Sequence, residues 1–332
     1  MVPIRRLLAV AATGVLAFAA AALSPASAVR AFAQEVVQDE GAAYRAWYEA
    51  SQANDTPKAL QAAKDYLAKY PAGQYADAIK KWLPTAQMKV LDSAIKEKRT
   101  GDMIATGNEI LAGEPDNLNV LYALAFNIRR NELLASPPNF QNAAAAADYA
   151  RRAASLIEAG KGLAGVSSFD KNATLAWLTQ ILALVEQKGG AADRALELFE
   201  KSTSLAPQDP QVAGRNLLAV LAMRQAAYAD AAKAYNAIPE ADRAAADAKP
   251  EVKAAHDKVN ADADAYIDAA ARFVALAKVK GLPPAITEKV QQSLEGVYKS
   301  RFPDDAPLAG LQKILQEKEA ALGAPPAAPS SN

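Results

Sequence analysis

The chain has 332 residues, no cysteine, one histidine and equal numbers of basic and acidic residues, 37 of each. The lack of cysteine excludes disulfides, thiolate metal sites, cysteine nucleophiles and a lipid-modified N-terminal cysteine. A nucleic-acid-binding domain normally carries a clustered basic excess, so the balanced charge argues against that class.

The first 33 residues have the three-part plan of a secretory signal peptide. Arg5 and Arg6 supply a positive start, an apolar run over 7–23 follows, and small residues come after it. Cleavage after Ala28 or after Ala33 fits the small residues that a signal peptidase requires, and we favour Ala33. An uncleaved membrane anchor is the alternative, but this run spans only about 26 Å as a helix, against a hydrocarbon core of roughly 30 Å. We therefore predict an exported protein, periplasmic or secreted.

The mature chain is predicted to be soluble and slightly acidic. Cleavage after Ala33 removes Arg5, Arg6 and Arg30 and no acidic residue, which leaves 34 basic against 37 acidic residues. No later apolar run approaches membrane length, so we expect no integral membrane segment after cleavage.

Abundant alanine and the lack of alternating apolar stretches predict an all-α fold. The first predicted helix carries Tyr44, Trp47 and Tyr48. The second is expected to begin with Thr56 as N-cap and Pro57 in its first turn. The later helices are expected over 86–98, 102–112, 118–131, 142–159, 171–188, 192–205, 211–224, 228–238, 250–280, 283–300 and 307–322.

Apolar and small residues recur within these helices at fixed intervals. Over 118–131 and 192–207 the recurring residues are Leu121, Leu124, Ala125 and Ile128, then Ala195, Phe199, Ser202 and Pro207. These segments resemble the first and second helices of tetratricopeptide repeats, which nest through bulky, small and aromatic residues and a closing proline. The chain is also similar to uncharacterised secreted bacterial proteins of that family.

The resemblance implies a right-handed α-solenoid of stacked antiparallel helix pairs, with five pairs over residues 34–245. One pair cannot cover its own apolar stripe, so stacked neighbours stabilise one another. Residues 246–322 are expected to form a C-terminal helical region that caps the array. Residues 323–332, rich in proline, alanine and serine, are expected to be disordered.

The first helices of the family line a concave groove. In this sequence the corresponding groove positions on the first helices are Tyr44, Tyr48, Tyr122, Phe126, Arg129, Arg130, Trp177, Gln180 and Leu184. Rings beside arginine and glutamine suit peptide capture, because rings supply contact area and arginine pairs with carboxylates. The alternative for each ring is packing between helices. We expect Arg129 and Arg130 on an exposed face or a solvated helix end. The lysine and asparagine arrangement by which some family members clamp a terminal carboxylate is missing.

Three apparent site motifs predict no chemistry. The glycines of 160–165 have dinucleotide-fingerprint spacing, but a predicted helix precedes them where that motif needs a strand. His256 is the only histidine, which excludes a two-histidine zinc site. Asp262 and Asp264 are two apart on a predicted helix, so we expect surface charges.

Two irregular loops, 134–141 and 160–170, are candidates for partner contact, with a simple spacer role as the alternative. No acid, base, nucleophile and metal set converges, so we expect no enzyme, no cofactor and no metal. We expect a non-enzymatic scaffold or adaptor that binds a protein or peptide in its groove, in cell-envelope assembly. The alternative is a periplasmic protein that binds a small molecule or a glycan.

Overall fold

The computed structural model describes residues 25–165, 168–244, 249–305 and 307–323. Within these ranges the chain forms 13 α-helices and no strand, so the predicted all-α class is confirmed. The helices are α1 (Pro25–Gln52), α2 (Thr56–Lys69), α3 (Ala76–Lys96), α4 (Thr100–Gly113), α5 (Leu118–Ile128), α6 (Ala143–Glu158), α7 (Lys171–Lys188), α8 (Ala192–Leu205), α9 (Arg215–Asn236), α10 (Glu240–Ala244), α11 (Pro250–Lys280), α12 (Pro284–Arg301) and α13 (Ala309–Gly323).

Two short π-helical turns interrupt the α-helical pattern. The first, Arg129–Leu133, continues α5, and the second, Pro210–Gly214, leads into α9. Residues 1–24 of the predicted signal peptide (1–33) and residues 324–332 of the predicted tail (323–332) lie outside the described residues, whereas residues 25–33 belong to α1.

The chain divides into two compact units, Met1–Val90 and Leu91–Asn332. The core of the first unit joins α1 and α2 to the beginning of α3. Ala59, Ala63 and Tyr66 of α2 are fully buried in it. Trp47 of α1 meets Trp82 of α3 edge to face, with 5.5 Å between the ring centroids. Aromatic rings thus supply much of the buried volume in this unit.

In the second unit, α4 to α9 pack in chain order, each helix against the next. The central helix of this series is α7, because its two faces belong to two cores. Leu178 and Ile181 lie in the core shared with α4 to α6, and Ala183 lies in the core shared with α8, α9 and α11. Helices separated by one other helix in chain order are also in contact, because Tyr149 of α6 donates a hydrogen bond of 2.7 Å to Asn108 of α4.

The last large helices are arranged around α11. Gly214, at the start of α9, lies beside Leu276 near the end of α11, whereas Tyr235 and His256 bring the opposite ends together with 5.4 Å between rings. The two helices are therefore antiparallel. Both α12 and α13 pack on α11, and each buries a leucine in the shared core, Leu294 and Leu311.

The predicted fifth helix pair is wrong. The two helices expected over 211–224 and 228–238 are a single helix, α9, preceded by its π turn. The expected break at residues 225–227 reads Gln-Ala-Ala, which contains no glycine, proline or capping residue. Alanine is the best helix former, so the helix continues through this point.

The starts of α2 and α3 also differ from the predictions. The N-cap of α2 is Asp55, whose carboxylate accepts from the backbone of Lys58, so Thr56 is the first helical residue. The third helix begins at Ala76, ten residues before the predicted start at residue 86, and contains Pro84 in its interior. Fully buried Ile79 anchors this earlier part to the core, which explains why the helix persists despite the proline.

No helix in the described part of the chain is long and apolar enough to cross a membrane.

Candidate functional site: an aromatic face over a buried polar ladder

Four polar side chains form a chain of hydrogen bonds through the second unit, which we call the polar ladder: Arg129, Gln180, Asn216 and Ser202. Arg129 Nε donates to Gln180 Oε1 at 2.7 Å, and Gln180 Nε2 donates to Asn216 Oδ1 at 2.5 Å. Asn216 Nδ2 donates to Ser202 Oγ at 2.8 Å, and this hydroxyl donates to the carbonyl of Ala176 at 2.7 Å. Each member is at most 2 % exposed, so the ladder is an interior feature.

The ladder joins the two π turns. The first turn closes with the bond from Leu134 N to Arg129 O, which spans five residues rather than four. In the second turn, the carbonyl of Val212 accepts from Gln180 Nε2 at 3.4 Å as well as from Arg215 N. Gln180 on α7 therefore contacts both turns, and it fixes the end of α5 relative to the start of α9.

Arg129 is a buried cation. Its guanidinium donates to Gln180 and stacks over the Trp177 ring, 3.9 Å from the ring centroid. Among the described residues, no carboxylate forms an ion pair with it. Burial lowers the pKa of Arg129 to about 9, and the nearby charge of exposed Arg215 acts in the same direction. The group is still protonated at neutral pH, so the interior holds a positive charge. Its neutral hydrogen-bond partner, the Trp177 ring and the charge of Asp209, with which no ion pair forms, compensate it.

Three rings beside this cation form the aromatic face: Tyr122, Phe126 and Trp177. Tyr122 and Phe126 stack with 5.6 Å between centroids, and Phe126 and Trp177 are tilted by 59° at 5.5 Å. All three are half-buried. Arg129 lies against the rings of Phe126 and Trp177, and Tyr122 stacks on Phe126, so the three residues form a continuous, partly exposed aromatic surface.

The structure brings five of the predicted groove residues together: Tyr122, Phe126, Arg129, Trp177 and Gln180. The exposed face expected for Arg129 is wrong, because its side chain is 2 % exposed. Gln180, at 1 % exposed, likewise faces the interior. Arg129 packs against two rings of the aromatic face, and Gln180 accepts the hydrogen bonds of its guanidinium.

The remaining predicted groove residues lie elsewhere. Arg130 is exposed and donates to Asn127 at 2.9 Å. Leu184 is half-buried between the two cores that meet at α7. In the first unit, half-buried Tyr44 stacks on Tyr75 with 3.7 Å between centroids. Tyr48, its neighbour at 6.0 Å, is 46 % exposed.

Sequence reasoning missed Asn216 and assigned Ser202 only a packing role. Both are fully buried, and each interrupts an apolar helix face, Asn216 beside Val212 and Val220, and Ser202 beside Phe199. A polar residue on an apolar face is a usable sequence signal, because a buried amide or hydroxyl requires a partner. What the sequence does not show is which partner it has.

The residues of the three apparent site motifs lie in the loop after α6 and on α11. Gly160 and Gly165 have positive φ values of 91° and 77°, and helix α6 precedes them. His256 is exposed beside Tyr235. Asp264 accepts two hydrogen bonds from Arg301, at 3.0 and 3.3 Å. No group of three or more metal-ligating side chains occurs in the ranges described.

The two irregular loops are tied to the helices beside them. In 134–141, Phe140 is half-buried, and Lys188 of α7 lies over its ring at 5.5 Å. In 160–170, the backbone of Ala164 exchanges two hydrogen bonds with the Asn119 side chain, at 3.0 and 3.1 Å. Residues 166 and 167 lie outside the described ranges.

Comparison with known proteins assigns no family: no protein-family model matches the chain, and no curated protein matches it. The function has to be inferred from the aromatic face and the polar ladder themselves.

Proposed function

We propose that the chain is an exported, non-enzymatic scaffold that binds a protein or peptide on the aromatic face of a tetratricopeptide-like helical array. The observation that carries the proposal is the aromatic face itself. Tyr122, Phe126 and Trp177 are partly exposed, and buried Arg129 packs against the last two. Fixed rings bind with little loss of conformational entropy, which is typical of protein recognition sites.

The packing order of the second unit supports a repeat architecture. Each helix from α4 to α9 packs on the next, as in a solenoid. The polar ladder connects α5, α7 and α9, which are successive first helices in the repeat register. The bond between Tyr149 and Asn108 connects successive second helices, α6 and α4. We infer a right-handed α-solenoid whose first helices form the binding surface.

Side chains at the expected nesting positions also support this register. The first-helix set on α5, Leu121, Leu124, Ala125 and Ile128, is fully buried. On α8, Ala195, Phe199 and Ser202 are at most 1 % exposed. Export, and with it a role in cell-envelope assembly, rests on the signal-like sequence and on analogy with secreted repeat proteins.

The proposal is tested by selecting peptides from a displayed random library with the full chain. We expect specific peptides to be captured, and we expect Tyr122→Ala or Trp177→Ala to weaken their binding at least tenfold, since aromatic hot spots contribute about 2 kcal/mol or more. The matched control is Tyr228→Ala on α9, because Tyr228 is also half-buried but is not part of the aromatic face. Equal losses in all three variants, or no captured peptide, would contradict the proposal.

A further inference from the structure

A separate cavity of about 380 Å³ lies where α8, α9, α11 and α13 meet in the second unit. Its size falls at the lower end of the roughly 300–1,000 Å³ typical of small-molecule sites. Most of its wall is apolar, from Pro207, Leu217, Leu276, Ala321 and Leu322. Leu217 and Leu276 are at most 2 % exposed, so the inner wall is formed by ordered core side chains. Such a cavity suits a ligand with an apolar body of modest length.

Two cations, Arg272 of α11 and Lys318 of α13, line the cavity, and no carboxylate lines it. The carboxylates that pair with these cations, Glu200 and Asp268, stand outside the lining. Arg272 Nη1 donates to Glu200 at 2.8 Å, and Lys318 Nζ donates to Asp268 at 2.6 Å. These groups are partly exposed, and such ion pairs contribute little free energy, so a ligand can compete with them.

The ion pairs do not use all the N–H donors of Arg272 and Lys318. Arg272 uses only Nη1 in its contacts with the described residues, so Nε and Nη2 keep their N–H groups. Lys318 has three N–H donors and uses one on Asp268. The other polar lining residues, Thr203 and Ser204, donate their hydroxyl protons to carbonyls of their own helix. The donors available to a ligand therefore belong to the two cations.

From the apolar wall and the two donor cations, we propose that this cavity binds an amphiphilic monocarboxylate of medium chain length. The acyl chain lies against Leu217, Leu276 and Leu322, and the carboxylate accepts hydrogen bonds from Arg272 and Lys318. This site is separate from the aromatic face and does not depend on the peptide-binding proposal.

Calorimetric titration of the full chain with octanoate, decanoate, octan-1-ol and octylammonium tests the ligand class. We expect saturable one-to-one binding of octanoate and about fifteenfold tighter binding of decanoate, since each of its two additional buried methylenes adds about fourfold in affinity. We expect octan-1-ol to bind at least tenfold more weakly than octanoate, and octylammonium not to bind. Absence of saturable carboxylate binding, or equal affinity for acid and alcohol, would overturn the proposal.

Variants then locate the site. Lys318→Met should weaken octanoate binding at least fivefold, whereas Lys313→Met, at an exposed position on the same helix, should leave it unchanged. Because Lys318 also pairs with Asp268, a second variant avoids that contact: Ala321→Phe, at an exposed position of the lining, should fill the cavity and abolish binding while the helical circular dichroism stays the same. Unchanged octanoate affinity in Ala321→Phe would place the ligand elsewhere and overturn the assignment.

Discussion

Replacing Gln180 by leucine should destabilise the second unit by about 1.5 to 3 kcal/mol, the usual contribution of a hydrogen bond to a charged group. Gln180 Oε1 is the acceptor of the Arg129 guanidinium, and no ion-paired carboxylate takes its place among the described residues. Arg129 is 2 % exposed, so water has little access to compensate. The substitution also leaves the Oδ1 atom of Asn216 without the amide that donates to it.

A double-mutant cycle separates this electrostatic cost from lost packing. Arg129→Met removes the charge, so Gln180→Leu should cost less in that background, with a coupling energy of about 1 to 3 kcal/mol. Trp177 is the only tryptophan beyond residue 90, so its fluorescence in a Trp47→Phe, Trp82→Phe background reports the second unit alone. Urea unfolding followed by this fluorescence gives the free energies.

Additive free-energy costs of the two substitutions would contradict this prediction. If the two substitutions contribute independently, Gln180 does not compensate the charge of Arg129. A cost below about 1 kcal/mol for Gln180→Leu alone would mean that water or another acceptor solvates the guanidinium, since a solvated polar group loses little when one partner is removed.

Four further predictions follow from single positions. Phe199→Ala should cost about 3 to 5 kcal/mol in urea unfolding, because this ring is 1 % exposed; a cost under 1 kcal/mol would contradict its place in the core. Gly107→Ala should cost about 1 to 3 kcal/mol, because a Cβ there would lie 2.7 Å from Leu124, and Leu124→Ala in the same chain should reduce that extra cost. Ala226→Pro should lower the helical circular dichroism signal and reduce the free energy of unfolding by about 3 kcal/mol, since α9 is continuous at this exposed position. An unchanged stability would indicate a turn at this position, because a turn tolerates proline. Burial and a hydrogen bond with the Glu40 carboxylate raise the pKa of Tyr66 from 10.0 to about 12. The stability that this group contributes is therefore fully present below pH 10 and is lost as the pH rises through about 12. Tyr66→Phe should remove the tyrosinate absorbance change near pH 12, and an unchanged absorbance titration would refute the shift.

Helix positions were predictable where start and stop residues are explicit. Asp170 accepts from the backbone of Ala173 at the start of α7, and the helix ends before Gly190, which has a φ of 83°. The bounds of α7, α8 and α11 are the same as those predicted from the sequence. At residues 225–227 no such residue exists, so the turn predicted there had no start or stop residue to support it.

The site was predictable as a set of residues but not as an arrangement. The resemblance to tetratricopeptide repeats, whose first helices line the groove, grouped Tyr122, Phe126 and Trp177 with Arg129 and Gln180. The π turn at 129–133 adds a residue to the helical turn and changes the direction of the side chains in it, which periodicity of 3.6 residues does not anticipate. The burial of Arg129 also depends on Gln180, 51 positions away in the sequence.

The most direct measurement of the central proposal is site-specific photo-crosslinking in cell-envelope extract. A benzophenone side chain replaces Tyr122 on the aromatic face in one variant and Tyr228 on α9 in a second, and crosslinked products are identified by mass spectrometry. If the aromatic face binds a partner, position 122 should crosslink to a defined protein or peptide and position 228 should not. Equal crosslinking from both positions, or none from position 122, would contradict the assignment of this face as the binding surface.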